Sequence, residues 1–134
     1  MNIIHYSNSF VSIKENDTLI ACDPWTGYGQ ENGWLSYPIY KNGAQLLNKI
    51  NPTHIYISHL HCDHFDKINL KKFKNKNVKI IIKNFKNKRL KNKVAELGFK
   101  NIEELDEWKK YKLDQNLSIA IIPQISTNSS NVAD

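Results

Sequence analysis

Residues 57–66 read Ile57-Ser58-His59-Leu60-His61-Cys62-Asp63-His64-Phe65-Asp66, and three of the chain's 5 histidines fall within them. The stretch is entered from His54-Ile55-Tyr56-Ile57-Ser58, which reads as a strand. In extended backbone, side chains two positions apart point the same way, so His59 and His61 can aim at one point where the strand ends. Asp63 and His64 follow where the chain must turn toward a helix after Asp66, adding a carboxylate and a third imidazole. Imidazole nitrogen with carboxylate oxygen suits Zn²⁺, and also Fe or Mn as the carboxylate share rises. Four such side chains are too many for one tetrahedral ion that keeps a position open. They make a natural half-set for two ions. Cys62 occupies an intervening position and reads as a small buried residue, while His5 and His54 read as structural.

Outward from this stretch the pattern is that of an α/β chain. Ser9 to Ile13 and Thr18 to Cys22 read as a hairpin around Lys14-Glu15-Asn16-Asp17, and Asp23-Pro24 stops the second strand. Ala44 to Ile50 has the spacing of a short helix, ended by Asn51-Pro52. Ile68 to Phe73 reads as a short helix, Val78 to Ile82 as a strand, and Asn87 to Leu97 as a helix stopped by Gly98. Tyr111 to Leu113 and Leu117 to Ile122 form a second hairpin. Strands early and late, with helices alternating in the middle, predict an α/β fold with a mixed sheet. No repeat or linker divides residues 1–134.

Length, at 134 residues, fits one domain. An apolar share of 40% allows a core, and a mean hydropathy of −0.55 leaves little surplus. No run approaches the roughly 18 apolar residues of a membrane span. The start lacks the pattern of a secretory signal, and two cysteines, Cys22 and Cys62, suit a reducing compartment, so the expected location is cytoplasmic. The net charge of +6 is concentrated between Lys67 and Lys112. That block can bind nucleic acid, but the first reading is a set of solvated faces in a Lys-, Asn- and Ile-rich chain.

His59-Leu60-His61-Cys62-Asp63-His64, entered from Ile55-Tyr56-Ile57-Ser58, resembles the signature of the metallo-β-lactamase superfamily of metal-dependent hydrolases. Leu19-Ile20-Ala21-Cys22-Asp23-Pro24-Trp25 resembles an element of the branch holding ascorbate-6-phosphate lactonases and N-acyl-phosphatidylethanolamine phospholipases D. Asp23-Pro24-Trp25, Gly33-Trp34 and Tyr37-Pro38 look closer still to the metal domain of CMP-N-acetylneuraminate hydroxylases. The resemblance implies the N-terminal half of an αββα sandwich, with a mixed, largely antiparallel sheet. It implies that His59 and His61 bind one Zn²⁺, and Asp63 and His64 a second. Asp63 would also orient or deprotonate the attacking water, and Asp23 would support the ligands from beneath. The implied reaction is attack of metal-bound hydroxide on an ester, lactone, amide or phosphodiester of a small or nucleotide-linked anionic substrate.

The sequence departs from the family in having no histidine after His64, where relatives place further ligands, and Asp134 alone could stand in for a bridging aspartate. This predicts a partial metallo-β-lactamase-like domain at 1–134, truncated or split, with weak metal binding. An uncovered sheet face would then be open to self-association. The sialate hydroxylases also carry a Rieske-type centre, which Cys22 and Cys62 alone cannot form. Trp25, Tyr28, Trp34, Tyr37 and Tyr40, with Gly27, Gly29 and Gly33, either wall a substrate pocket or cover the sheet edge. The competing functions are a superfamily nuclease using residues 67–112, and an inactive half-domain remnant.

Overall fold

The computed structural model describes residues 1–28 and 33–123. Gly29 of the aromatic segment, and the tail holding Asp134, lie outside them. Strands β1 (Asn2–His5), β2 (Val11–Glu15), β3 (Thr18–Cys22), β4 (His54–Ile57), β5 (Lys79–Lys83) and β6 (Ile102–Leu105) form one sheet in sequence order. The β1–β2 and β2–β3 pairings are antiparallel, and β3–β4, β4–β5 and β5–β6 are parallel. The sheet is mixed, as expected, but the expectation that it is largely antiparallel is corrected. Helices α1 (Gly43–Ile50), α2 (Lys67–Lys72) and α3 (Arg89–Glu96) each return the chain to the same end of the sheet. A strand re-entered from that end must run parallel to its predecessor.

All three helices cover one face. Ala21, Ile55, Ile57, Ile80 and Ile82 pack there with Leu47, Leu70, Leu90 and Val94. β5 is buried on both sides, because Ile81 turns the other way and meets Leu105 and Ile121. That explains its unbroken Ile80-Ile81-Ile82 run, the pattern of a central parallel strand rather than an alternating one. A hairpin of β7 (Lys110–Lys112) and β8 (Ser118–Ala120) contributes Tyr111 and Ile119 to this second face.

Helix ends follow their sequence signals. Asn42 and Asp66 cap α1 and α2 by accepting the Gln45 and Asn69 N–H groups. Asn51, at φ 48, closes α1 ahead of Pro52. Gly98, at φ 91, ends the α3 segment in a conformation that other residues adopt only with strain.

Two strands escape sequence reading, for different reasons. β1 lies at the sheet edge with all four residues exposed, so no alternation marks it. β6 carries Glu103 and Glu104 in its middle, which reads as polar linker. Both charges are partnered: Glu103 meets Lys79 at 3.2 Å, and Glu104 meets Lys88 at 2.8 Å and Lys91 at 2.6 Å.

Candidate metal centre

β3 and β4 lie side by side in parallel, with Cys22 opposite Tyr56, so both deliver the residues that follow to one edge. β3 is also where pairing switches from antiparallel to parallel. Ligand sites in open α/β sheets gather outside the carboxyl ends of the parallel strands. Asp23 follows β3 and Ser58-His59 follow β4. Asp23 sits at φ 41, a left-handed conformation that Asp tolerates better than most residues, and its carbonyl accepts the Trp25 N–H at 2.6 Å.

After His59 the chain turns, with the His64 and Phe65 N–H groups both donating to the His61 carbonyl. This turn brings the third imidazole back to the first: the His59 ring centroid lies 4.5 Å from that of His61 and 4.2 Å from that of His64. His59 Nδ1 is 2.8 Å from Ser58 Oγ, which leaves its Nε2 2.8 Å from His61 Nδ1. His64 Nδ1 is 2.8 Å from Asp23 Oδ2, which leaves its Nε2 3.6 Å from Asp63 Oδ2. The stretch thus yields two donor pairs, His59 with His61 and His64 with Asp63.

Asp23 is the hub beneath them. Its side chain is buried, and it accepts the Ser58 N–H at 2.7 Å and the Ser58 Oγ–H at 2.7 Å besides facing His64. The hydrogen bond to Asp23 raises the His64 pKa above 6.5, against the opposing effect of burial. His59 is shifted the other way, by burial first and then by the neighbouring His64 and His61. Two adjacent imidazoles are therefore biased toward different protonation states.

The donor chemistry suits zinc-like cations in pairs. Ligand atoms on one tetrahedral Zn²⁺ lie about 3.3 Å apart, given Zn–N bonds of about 2.0–2.1 Å. The 2.8 and 3.6 Å separations straddle that value. Among the described residues, no group of three or more His, Cys, Asp or Glu side chains is arranged to hold one ion. Neither pair by itself makes a ligand set. Cys62 is half-buried beside the cluster. His54 lies in β4, half-buried, with Thr53 Oγ1 2.9 Å from its Nδ1, as a structural histidine would.

A supporting layer went unread in the sequence. The β1–β2 turn, Tyr6 to Phe10, reaches both site segments. Ser9 Oγ donates to the carbonyls of Asp63 and Asp23, and Ser7 Oγ donates to the Trp25 carbonyl. The signal was present as Ser7-Asn8-Ser9, a run of small polar residues suited to turn-making side-chain bonds. Asp66 supplies a second tie: Oδ2 accepts the Thr26 N–H and an Asn69 Nδ2–H, while Oδ1 accepts the Asn69 N–H.

The aromatic segment divides. Trp25 is buried, Tyr40 donates to the Tyr6 carbonyl, and Tyr28, Trp34 and Tyr37 are exposed. Part of the basic stretch is engaged in ion pairs within the fold. Lys79, Lys83, Lys88, Lys91 and Lys93 all pair with glutamates.

No protein-family model matches the chain. A Mycobacterium tuberculosis protein bearing the name Rieske 2Fe-2S iron-sulfur protein is 32% identical over 94 residues, 70% of this chain and 18% of that protein. One of the same name from Mycolicibacterium smegmatis is 30% identical over 115 residues, 83% of this chain and 21% of that protein. The chain thus spans about a fifth of these curated relatives. A solved structure titled as a possible metal-dependent hydrolase, from Veillonella parvula DSM 2008, matches with a TM-score of 0.57 at 20% identity. The match covers 84% of this chain and 45% of that one. At that identity the likeness is one of fold, an α/β architecture with a mixed sheet.

The chain's own residues do not fit a Rieske centre, which takes two cysteines and two histidines. Among the described residues no group of three or more His, Cys, Asp or Glu side chains is placed to hold a metal ion, so the set that such a centre takes is not assembled there.

Proposed function

We propose that this chain is the histidine-bearing part of a metal-dependent hydrolase of the metallo-β-lactamase kind. His59 and His61 hold one cation, and Asp63 and His64 a second, with further donors completing each set. The observation that carries the reading is the pairing of donor atoms at the end of β4, with every non-ligating ring nitrogen of His59 and His64 already engaged. Ser58 takes His59 Nδ1 and Asp23 takes His64 Nδ1, which fixes Nε2 as the free donor in both. His61, by contrast, presents Nδ1 to the pair.

When bound, the cations supply Lewis-acid polarisation of the substrate and bring the pKa of water toward neutrality. The chain's own part is positional. Asp23 and Ser58 hold two imidazoles in one tautomer and orientation. Ser9 pins the backbone of Asp23 and Asp63 together. The Asp63 carboxylate, half-exposed beside His64, is placed to accept a proton or to orient the attacking water. The substrate class is an ester, lactone, amide or phosphodiester. A nuclease reading would draw on the lysines of the basic stretch outside the ion pairs of Lys79, Lys83, Lys88, Lys91, Lys93 and Lys109.

Calorimetric titration of the full chain with zinc and with manganese tests this. The expected result is weak binding, at micromolar affinity or poorer given incomplete ligand sets (about −8 kcal/mol or less favourable), further reduced in His59→Ala and Asp63→Asn. Absence of any binding that depends on these residues contradicts the proposal. Sub-micromolar zinc affinity lost in His59→Ala contradicts the incompleteness of the ligand sets.

A further inference from the structure

We infer that the cleft between the aromatic segment after Asp23 and the start of α1 binds a small anionic ligand that carries a ring. Two adjoining lobes of about 310 and 250 Å³ share Thr26, Gly27, Tyr28, Tyr40 and Lys41. Together they fall in the size range of small-molecule sites (about 300–1,000 Å³). Their chemistry differs from end to end.

The larger lobe is lined by Tyr28, Leu35, Ile39 and Tyr40, surfaces suited to the faces of a ring. Ser36 also lines it. That residue is 1% exposed, and its Oγ has no hydrogen-bond partner among the described residues. A buried hydroxyl left unpaired is costly, so this lobe is lined by a hydrogen-bonding residue whose side chain the described residues do not satisfy.

The smaller lobe is cationic. It adds Lys72 to the shared Lys41, and neither is ion-paired among the described residues. It also holds Gly43, the first residue of α1, whose first turn carries no acidic side chain to offset the positive end of the helix dipole. Among the described residues, Asp66 is the one carboxylate lining this lobe, and its oxygens already accept three N–H bonds from Thr26 and Asn69. An anionic head fits the Lys41–Lys72 end, and the ring fits between Tyr28 and Ile39.

The binding claim stands apart from the hydrolase reading and rests on it only in calling this ligand the substrate. The cleft is contiguous with both site-bearing segments, through Thr26 after Asp23 and Asp66 after His64. A phosphate or carboxylate ester with an aromatic or sugar ring meets both requirements.

The test uses phenyl phosphate as probe, titrated into the ¹⁵N-labelled full chain with chelator present so that no metal contributes. The expected result is saturable shifts of the Gly27, Ser36 and Gly43 amides, with inorganic phosphate binding more weakly. Affinity should fall at least about ten-fold in Lys41→Met/Lys72→Met, and stay unchanged in Lys93→Met on the far helix. Tyr28→Ala, at a residue 63% exposed, should weaken phenyl phosphate but not inorganic phosphate, and it serves if the double variant fails to fold. No saturable shift at these amides, or equal affinity in the folded variants, overturns the inference. Metal titration that succeeds while this fails leaves the hydrolase reading intact.

Discussion

Asp23 Oδ2 lies 2.8 Å from His64 Nδ1, joining the residue that follows β3 to the turn that follows β4, 41 positions on. The contact does two things. It commits the Nε2 of His64 to the Asp63 side, and it raises the His64 pKa above its ordinary 6.5. A histidine whose folded pKa is raised adds stability that is complete below the unfolded pKa and fades as pH rises through the folded value. Asp23→Asn should therefore lower the His64 pKa in metal-free protein, and the variant's stability deficit should shrink above that pKa. An NMR titration of the imidazole carbon protons measures the first. Denaturant melts across neutral pH measure the second.

Ser58 is the other orienting group, donating to Asp23 and lying 2.8 Å from His59 Nδ1. Loss of such an outer hydrogen bond typically costs about 10–100-fold in metal affinity. Ser58→Ala should weaken zinc binding within that range, while far-ultraviolet circular dichroism stays that of the native chain. Ser58→Thr, which keeps the hydroxyl, should recover most of the loss.

Gly43 is required by close packing. A Cβ there would sit 1.7 Å from Thr26 Oγ1 and 2.7 Å from Asn69 Nδ2, so the loop after Asp23 must shift to accept one. Gly43→Ala should destabilise the chain by about 1–3 kcal/mol, the usual cost of overpacking. The Thr26 and Asn69 amide signals should move more than those of β5, and unchanged signals at both would count against the packing argument.

Glu104 ties β6 to α3. Burial alone would raise its pKa, but the Lys88 and Lys91 ammonium groups outweigh it and hold the carboxyl below 4.5. A depressed carboxylate stabilises above the unfolded pKa, and its contribution disappears as pH falls through the folded value. Glu104→Gln should lose under about 1 kcal/mol near neutral pH, since both lysines are partly solvated. Its deficit should vanish in acid, which melts at successively lower pH would reveal.

That three imidazoles cluster behind β4 was legible from their spacing, and the helices were legible from apolar residues at helical spacing, with Gly98 stopping the last. β1 was not, since an edge strand exposed on both faces needs no alternation. β6 was not, because Glu103 and Glu104 look like linker until Lys79, Lys88 and Lys91 are seen opposite them. The parallel pairings depend on which end of the sheet each helix returns to, and residue order alone does not state that. Ser7 and Ser9 act on segments 18 and 54 residues away, a range over which local pattern carries no information.

The central claim is that the end of β4 gathers two donor pairs for cations. Anomalous diffraction at the zinc edge, from crystals of the full chain soaked in zinc, tests it most directly. The account predicts peaks about 2.0–2.2 Å from His59 Nε2 and His61 Nδ1, and from Asp63 Oδ2 and His64 Nε2. Well-ordered density for these four side chains, with zinc bound elsewhere and none between them, would contradict it.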